Sequence, residues 1–226
     1  MDQNIISRTA NFAHPEWQHS RIRMYHSAAN RLQEAVRRAL DVGLALLLFL
    51  STLPVLLLAA LAIKLDSPGP VLYRQERVGL NGRAFTIYKL RSMQVDAEAG
   101  STPTWAAKRD PRITRVGAFM RHTRIDEIPQ VVNVLRGEMS LVGPRPERPH
   151  FVDQLDQILP SYADRHHVRP GITGWAQVNY SYGATVEDAR EKLAYDLYYV
   201  KHRSLVFDLL VMVSTVRVIL FQEGAR

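Results

Sequence analysis

The chain has 226 residues, with 29 Lys and Arg against 22 Asp and Glu, a formal charge of +7 and no cysteine. A hydrophobic share of 46% supports a packed core and excludes a disordered polar chain. The missing thiols exclude disulfides, thiolate catalysis and cysteine-based zinc sites, and they fit a reducing compartment.

The positive balance suits phosphate, anionic lipid or nucleic acid. Its arginines cluster around apolar segments, which favours lipid or diphosphate over DNA. Residues 1–26 show no periodicity and no signal-peptide pattern, and read as an arm. Ser27 to Leu40 reads as helix, with Leu32, Val36 and Leu40 on one face and Glu34 placed to pair with Arg38. It leads into Val42–Ile63, an uncharged run long enough to cross a bilayer core of ~30 Å. Pro54 lies near the middle of that run, where a missing N–H and a ring clash favour a break. Ser51 and Thr52 precede it and are placed to satisfy the freed carbonyls. Basic residues flank both ends: Arg31, Arg37 and Arg38 before, and Lys64, Arg74 and Arg77 after. Positive charge marks the cytoplasmic side. A Pro-broken helix that re-enters the same leaflet reconciles the symmetric flanks with the proline, and a spanning helix is the alternative. The chain thus divides into an arm at 1–26, an amphipathic lead-in and membrane helix at 27–64, and a catalytic domain at 65–226.

Asp66-Ser-Pro-Gly-Pro70 reads as a rigid exit turn. Val71–Val78 and Ala84–Leu90 flank Asn81-Gly82, a type I′ hairpin signal. Gly100–Arg109 reads as loop. Asp110-Pro111 predicts a helix start, with helix over Arg112–Thr123. A further helix runs from about Asp126 to a stop at Gly137. Met139–His150, with three prolines, reads as a stiff irregular loop, and Arg169-Pro-Gly171 opens a turn region that runs through Trp175 to Gly183. Thr185-Val-Glu-Asp188 resembles a helix N-cap, with helix over Glu187–His202. Val206–Phe221 reads as core or as an interfacial helix with Arg217 at the headgroups. The fold class is therefore mixed α/β, mostly helical and irregular, with one short hairpin.

The chemistry centres on Asp126 and Glu127. As neighbours on a helix they diverge and cannot form a facing carboxylate pair. Acidic residues also stabilise a first helical turn, which is the plain structural reading. Arg121, Arg124, Arg136 and Arg145 surround them in sequence. Guanidinium forks match phosphate oxygens, and carboxylate, magnesium and arginine together form a phosphoryl-transfer set. Pro144-Arg145-Pro146 restrains Arg145. Lys89 and Arg91, after the second strand, are further phosphate candidates beside a plain reading as a solvated strand end. His166-His167 lacks metal spacing, and no Walker loop or Gly-x-Gly-x-x-Gly is present.

Ser67-Pro-Gly-Pro70, Tyr73-Arg-Gln75, Lys89-Leu-Arg-Ser-Met93, Asp110-Pro-Arg-Ile-Thr114, Asp126-Glu-Ile-Pro-Gln130, Asn133-Val-Leu-Arg-Gly137, Met139-Ser-Leu-Val-Gly-Pro-Arg-Pro146 and Arg169-Pro-Gly-Ile-Thr-Gly174 occur in this order. Together they resemble the bacterial sugar transferase family, the monotopic polyprenyl-phosphate phosphoglycosyl transferases. Gln177-Val-Asn-Tyr180 and Asp196-Leu-Tyr-Tyr199 are similar to its exopolysaccharide-associated branch. The resemblance implies a UDP-sugar donor and a polyprenyl phosphate acceptor at the cytoplasmic face of the bacterial inner membrane. It implies Asp126 as nucleophile and Glu127 as its catalytic partner, with Mg2+ held at Asp126 and Glu127. Lys89, Arg91, Arg121 and Arg145 would bind substrate. It also implies a re-entrant helix broken at Pro54, interfacial amphipathic helices and contact with membrane lipid; nucleic acid is not a partner, and a homo-oligomer is compatible with it. Here Thr52-Leu53 precedes Pro54 where small members often have Ser directly before the proline, and Ile125 stands where Leu is common. The short arm makes the chain similar to a minimal catalytic unit.

A non-catalytic module that binds anionic lipid through its arginines is the alternative from another class. A nucleic-acid binder is suggested by net charge alone and does not account for the apolar run.

Overall fold

The computed structural model describes residues 28–95, 97, 110–180, 183 and 185–221. The arm and the loop expected at Gly100–Arg109 lie outside the described residues. The architecture is mostly helical with two small sheets. A long helix α1 (Ala28–Asp66) leads into a hairpin of β1 (Leu72–Val78) and β2 (Ala84–Leu90). Then come α2 (Arg115–His122), a 3-10 turn at Ile125–Gln130, α3 (Val131–Arg136), β3 (Ser140–Val142) and α4 (Pro149–Ile158). A 3-10 turn at Tyr162–His167, β4 (Gly171–Thr173), α5 (Trp175–Asn179), α6 (Val186–His202) and α7 (Leu205–Phe221) complete it.

Helix α1 lies along the domain instead of standing apart from it. Its inward stripe begins with Glu34, which pairs with Arg203 at 2.8 Å, and Arg37, which bonds Asp208 at 2.5 Å. Arg38 donates to the Val134 and Leu135 carbonyls. Asp41 accepts from the Ser140 hydroxyl and the Leu141 amide. Ala45 is fully buried with Ile87, Val131, Val134 and Met139, and Ile63 is buried with Leu90 and Met120. At the far end, Asp66 accepts the Val116 amide and so caps α2. From Glu34 to Asp66 this stripe follows about 48 Å of helix. The opposite face is apolar and open, with Leu47, Leu57, Leu58 and Leu65 all exposed.

Several local expectations change. Glu34 pairs with Arg37 and Arg203, not with Arg38. Leu32, Val36 and Leu40 share a face, but it is exposed. Arg37 is buried and Arg77 partly so, and both bind the domain, so these two flanking charges are not free to report on the membrane side. The helix is continuous through Pro54. Ser51 and Thr52 bond back to the Leu48 and Phe49 carbonyls, not to that of Leu50, whose usual donor Pro54 removes.

The hairpin has the turn expected. Asn81 and Gly82 both have positive φ, and the Arg83 amide donates to Leu80 at 3.2 Å. Helix α2 starts at Arg115, later than expected. Arg112 binds the Asp110 carboxylate through its amide and its guanidinium, Ile113 bridges to Met93, and Thr114 supplies the cap. The segment from Asp126 to Gly137 is a 3-10 turn followed by α3, with Gly137 left-handed at the end as expected. Within Met139–His150, β3 pairs in parallel with β4 and Pro149 begins α4, so only 143–148 are irregular. A side chain at Gly143 or Gly171 would collide with the other's backbone, which is why both are glycine. Thr185 and Asp188 form the capping box expected for α6.

Asn133, fully buried on α3, acts as a substitute strand for β2. It donates to the Thr86 carbonyl at 2.7 Å and accepts from the Tyr88 amide at 3.2 Å. Replacing it with Ala leaves those backbone groups unpaired at about 1–3 kcal/mol each. Asn133→Ala should lower unfolding stability by about 2–4 kcal/mol in denaturant titration of the detergent-solubilised protein; an unchanged midpoint would refute this account.

Candidate active site

Three segments converge on Glu127. The end of α2 sets the first. Arg124 takes a left-handed conformation (φ 60°), and its carbonyl accepts the Glu127 amide at 3.1 Å. The 3-10 turn that follows separates neighbouring side chains by about 120°, so Asp126 and Glu127 point apart as the sequence predicts. The second segment is β2, whose Lys89 Nζ reaches Glu127 Oε1 at 2.9 Å. The third is the irregular stretch after β3, where Arg145 forks onto both Glu127 oxygens. This is a bidentate, charge-assisted pair.

The two carboxylates have opposite electrostatics. Burial pushes Glu127 up, but Arg145 and Lys89 outweigh it and hold the group well below the usual carboxylate range. Asp126 is 7% exposed, and its buried Oδ1 has no hydrogen-bond partner among the described residues. Burial first, and then the Glu127 charge, push it up to about 6; Lys89, Arg121 and Arg145 act in the other direction. Burial lowers Lys89, and the Glu127 charge raises Arg145. One acid is a fixed anion, and its neighbour is poised near neutrality with an open oxygen.

Of the residues chosen from sequence, Asp126, Glu127, Lys89 and Arg145 meet, and Arg121 acts on Asp126 through space. Arg91 has another task. It is 5% exposed and donates to the Ser67 and Pro68 carbonyls, clamping the exit turn of α1; its burial there takes it out of the Glu127 cluster. His166 is held neutral by burial, its pKa lowered to about 4.

For magnesium, no group of three acidic or His ligands occurs among the described residues. Magnesium needs less: one or two carboxylates, retained waters and substrate phosphates. The open Asp126 oxygen fits that demand. Glu127 fits it poorly, because both its oxygens are bound to cations.

Residues missed from sequence support Arg145 from behind. Arg165 bonds the Arg145 carbonyl and Asp196, and Arg77 bonds the Pro146 carbonyl. Arg165 and Asp196 stand 31 positions apart, and the one hint was the Asp196-Leu-Tyr-Tyr199 motif.

Residues 32–222 match the family model described as bacterial sugar transferase. An Aeromonas hydrophila protein named UDP-N-acetylgalactosamine-undecaprenyl-phosphate N-acetylgalactosaminephosphotransferase is 48% identical over 191 residues, covering 84% of this chain and 45% of its own length. A Caulobacter vibrioides protein named UDP-glucose:undecaprenyl-phosphate glucose-1-phosphate transferase is also 48% identical over 191 residues, covering 84% and 71%. The exopolysaccharide production protein PSS of Rhizobium leguminosarum bv. phaseoli is 44% identical over 189 residues, covering 80% and 93%. The chain spans less than half the length of several relatives, the Aeromonas protein among them.

The dyad's electrostatics give opposite outcomes for two isosteric changes in metal-free buffer. The folded-state pKa of Asp126 is raised from 3.8 to about 6. Its protonated form therefore favours folding below the unfolded value, and that contribution is lost as pH rises through about 6. Asp126→Asn should raise the melting temperature at pH 8 by a few degrees, with the gain vanishing near pH 4. Glu127 is depressed, so its contribution is present above its unfolded value and lost in acid. Glu127→Gln should lower stability at pH 8 by about 1–3 kcal/mol, because Lys89 and the partly exposed Arg145 lose their shared anion. Thermal scans of both variants across pH 4–8 test the pair, and equal shifts of one sign would contradict it.

Proposed function

The chain belongs to the bacterial sugar transferase family, and on that premise we propose that it moves a sugar 1-phosphate from a UDP-sugar to undecaprenyl phosphate. The products are undecaprenyl diphosphate sugar and UMP, and the step is an early membrane stage of exopolysaccharide or related glycoconjugate synthesis. The observation that carries this reading is a buried carboxylate with an open oxygen, Asp126, beside an anion already neutralised by Arg145 and Lys89. That is a nucleophile set among phosphate-binding cations.

The ionised Asp126 attacks the β-phosphorus of the donor. The bond from that phosphorus to the oxygen bridging the α-phosphate breaks, and UMP leaves with the electron pair. Asp126 then carries the phosphosugar as a mixed anhydride. An oxygen of undecaprenyl phosphate attacks the same phosphorus, and Asp126 departs as carboxylate. Glu127 does not react; it fixes the Arg145 fork and holds the Lys89 ammonium beside the site. Arg121 favours the ionised form of Asp126. Magnesium, held at Asp126 together with donor phosphates, would neutralise charge on the diphosphate oxygens. A module that only binds lipid gives no reason for an acid raised to about 6 in a buried, cation-lined position.

The path of α1 is read as monotopic, on the cytoplasmic side. A spanning helix carries its ends to opposite sides of ~30 Å of hydrocarbon. Here Arg37, Arg38 and Asp41 at one end and Asp66 at the other bind the same domain. The apolar face between them, with the exposed Val206, Leu209, Leu210, Val213 and Leu220 of α7, supplies the lipid contact.

Two experiments test these statements. Because the chain has no cysteine, Arg31→Cys and Lys64→Cys, both at exposed polar positions, each give a single label site. In sealed inverted vesicles both should react with a membrane-impermeant maleimide, and labelling of one alone would indicate a spanning helix. For the chemistry, purified protein with magnesium and a panel of UDP-sugars is weighed intact without acceptor. Relatives of equal identity are named for different sugars, so the panel includes UDP-glucose and UDP-N-acetylgalactosamine. A gain of one phosphosugar in wild type and none in Asp126→Asn is the expected result. An equal adduct on both proteins would remove Asp126 from the role.

A further inference from the structure

Arg145 lies on a stretch with no regular secondary structure, yet four consecutive carbonyls there are tied to four donors on three elements. Pro144 accepts from the Gly171 amide at 3.0 Å, and Arg145 accepts from Arg165 Nη2 at 2.8 Å. Pro146 accepts from Arg77 Nη1 at 3.0 Å, and Glu147 accepts from the Val78 amide at 2.9 Å. Prolines at 144 and 146 have no N–H to offer, so at those positions the carbonyls are the available main-chain handles.

The donor to Arg145 itself is held unusually well. The Arg165 side chain is 6% exposed and that of Asp196 is 3% exposed. Arg165 Nε and Nη2 both reach Asp196 Oδ2, at 3.1 and 2.7 Å, and Nη1 reaches the Tyr162 hydroxyl at 2.8 Å. The guanidinium also lies over the Tyr162 ring, 5.1 Å from its centre. A buried ion pair is a poor way to gain stability, since apolar residues of similar volume often do as well. A forked cation does one thing an apolar pair cannot: it joins α6, the Tyr162 turn and the Arg145 carbonyl through one rigid plane.

We infer that the Arg165–Asp196 pair, braced by Tyr162, is a positioning device for Arg145, fixing its main chain so that its fork meets Glu127. Neither residue touches Asp126 or Glu127 in the bonding described; both act through the Arg145 carbonyl. The catalytic consequence rests on the transferase reading above, because an ångström of misplacement in such a site costs rate more than binding.

The test uses full-length protein in nanodiscs. In hydrogen–deuterium exchange, Arg165→Lys should speed exchange at the Gly171 and Val78 amides, which donate to the Pro144 and Glu147 carbonyls, and leave the Val116–Met120 amides of α2 unchanged. Unchanged exchange at Gly171 and Val78 would overturn the inference whatever the protein catalyses. In sugar-phosphate turnover, Arg165→Lys should lower kcat by about 10- to 100-fold with little change in KM. In an Arg145→Lys background the same change should cost less than about 3-fold, because the two residues act as one unit. Equal losses in both backgrounds would also overturn it, while leaving the transferase reading intact. If wild type transfers no sugar phosphate, that reading fails and the exchange result alone decides. Should Arg165→Lys not fold, Tyr162→Phe removes one of the bonds to Arg165 and should give the same pattern at smaller amplitude.

Discussion

One buried carboxylate bound by two cations holds this site together. Glu127 comes from the 3-10 turn after α2, Lys89 from the end of β2, and Arg145 from the stretch after β3. Glu127 and Arg145 come from segments with too little regular structure to place a side chain by themselves. The ion triad fixes all three at once, and beside it burial first, and then the Glu127 charge, push Asp126 up to about 6. Binding strength and reactivity are thus divided between adjacent residues: one is saturated, the other open.

The membrane helix belongs to the same construction. Its inward stripe supplies part of the core around Ala45 and Ile63, and its last residue caps α2, which delivers the dyad. Arg91, anchored on the exit turn, ties β2 back to the same corner. Detaching α1 would therefore disturb the site mechanically. Under the proposed function, depth in the bilayer and the position of Asp126 are set by one rigid element.

Much of this was legible in the chain, for identifiable reasons. Asn81-Gly82, Gly137 and the Thr185–Asp188 box encode local backbone geometry, and each appears where local sequence places it. The late start of α2 was not legible, because Asp110 is captured by Arg112 and Ile113 bridges to Met93. The place of Arg91 on the Ser67 and Pro68 carbonyls was not legible, because a cation after a strand looks the same whether it meets a substrate or two carbonyls. Basic residues around an apolar run mark the cytoplasmic side only if they are free, and here Arg37 and Arg38 turn inward to Asp208 and to the α3 carbonyls.

The sequence by itself determined the apolar helix, the hairpin, the helix ends and the family's ordered motifs, because periodicity, turn chemistry and motif spacing act over a few residues. Only the tertiary structure decided what each charge does. Lys89, Glu127 and Arg145 lie far apart along the chain, as do Arg165 and Asp196, and the energy of a charged group depends on which partners share its burial. That is why the dyad could be named from its sequence, whereas the saturation of Glu127, the open oxygen of Asp126 and the brace behind Arg145 emerged only when the segments were packed together.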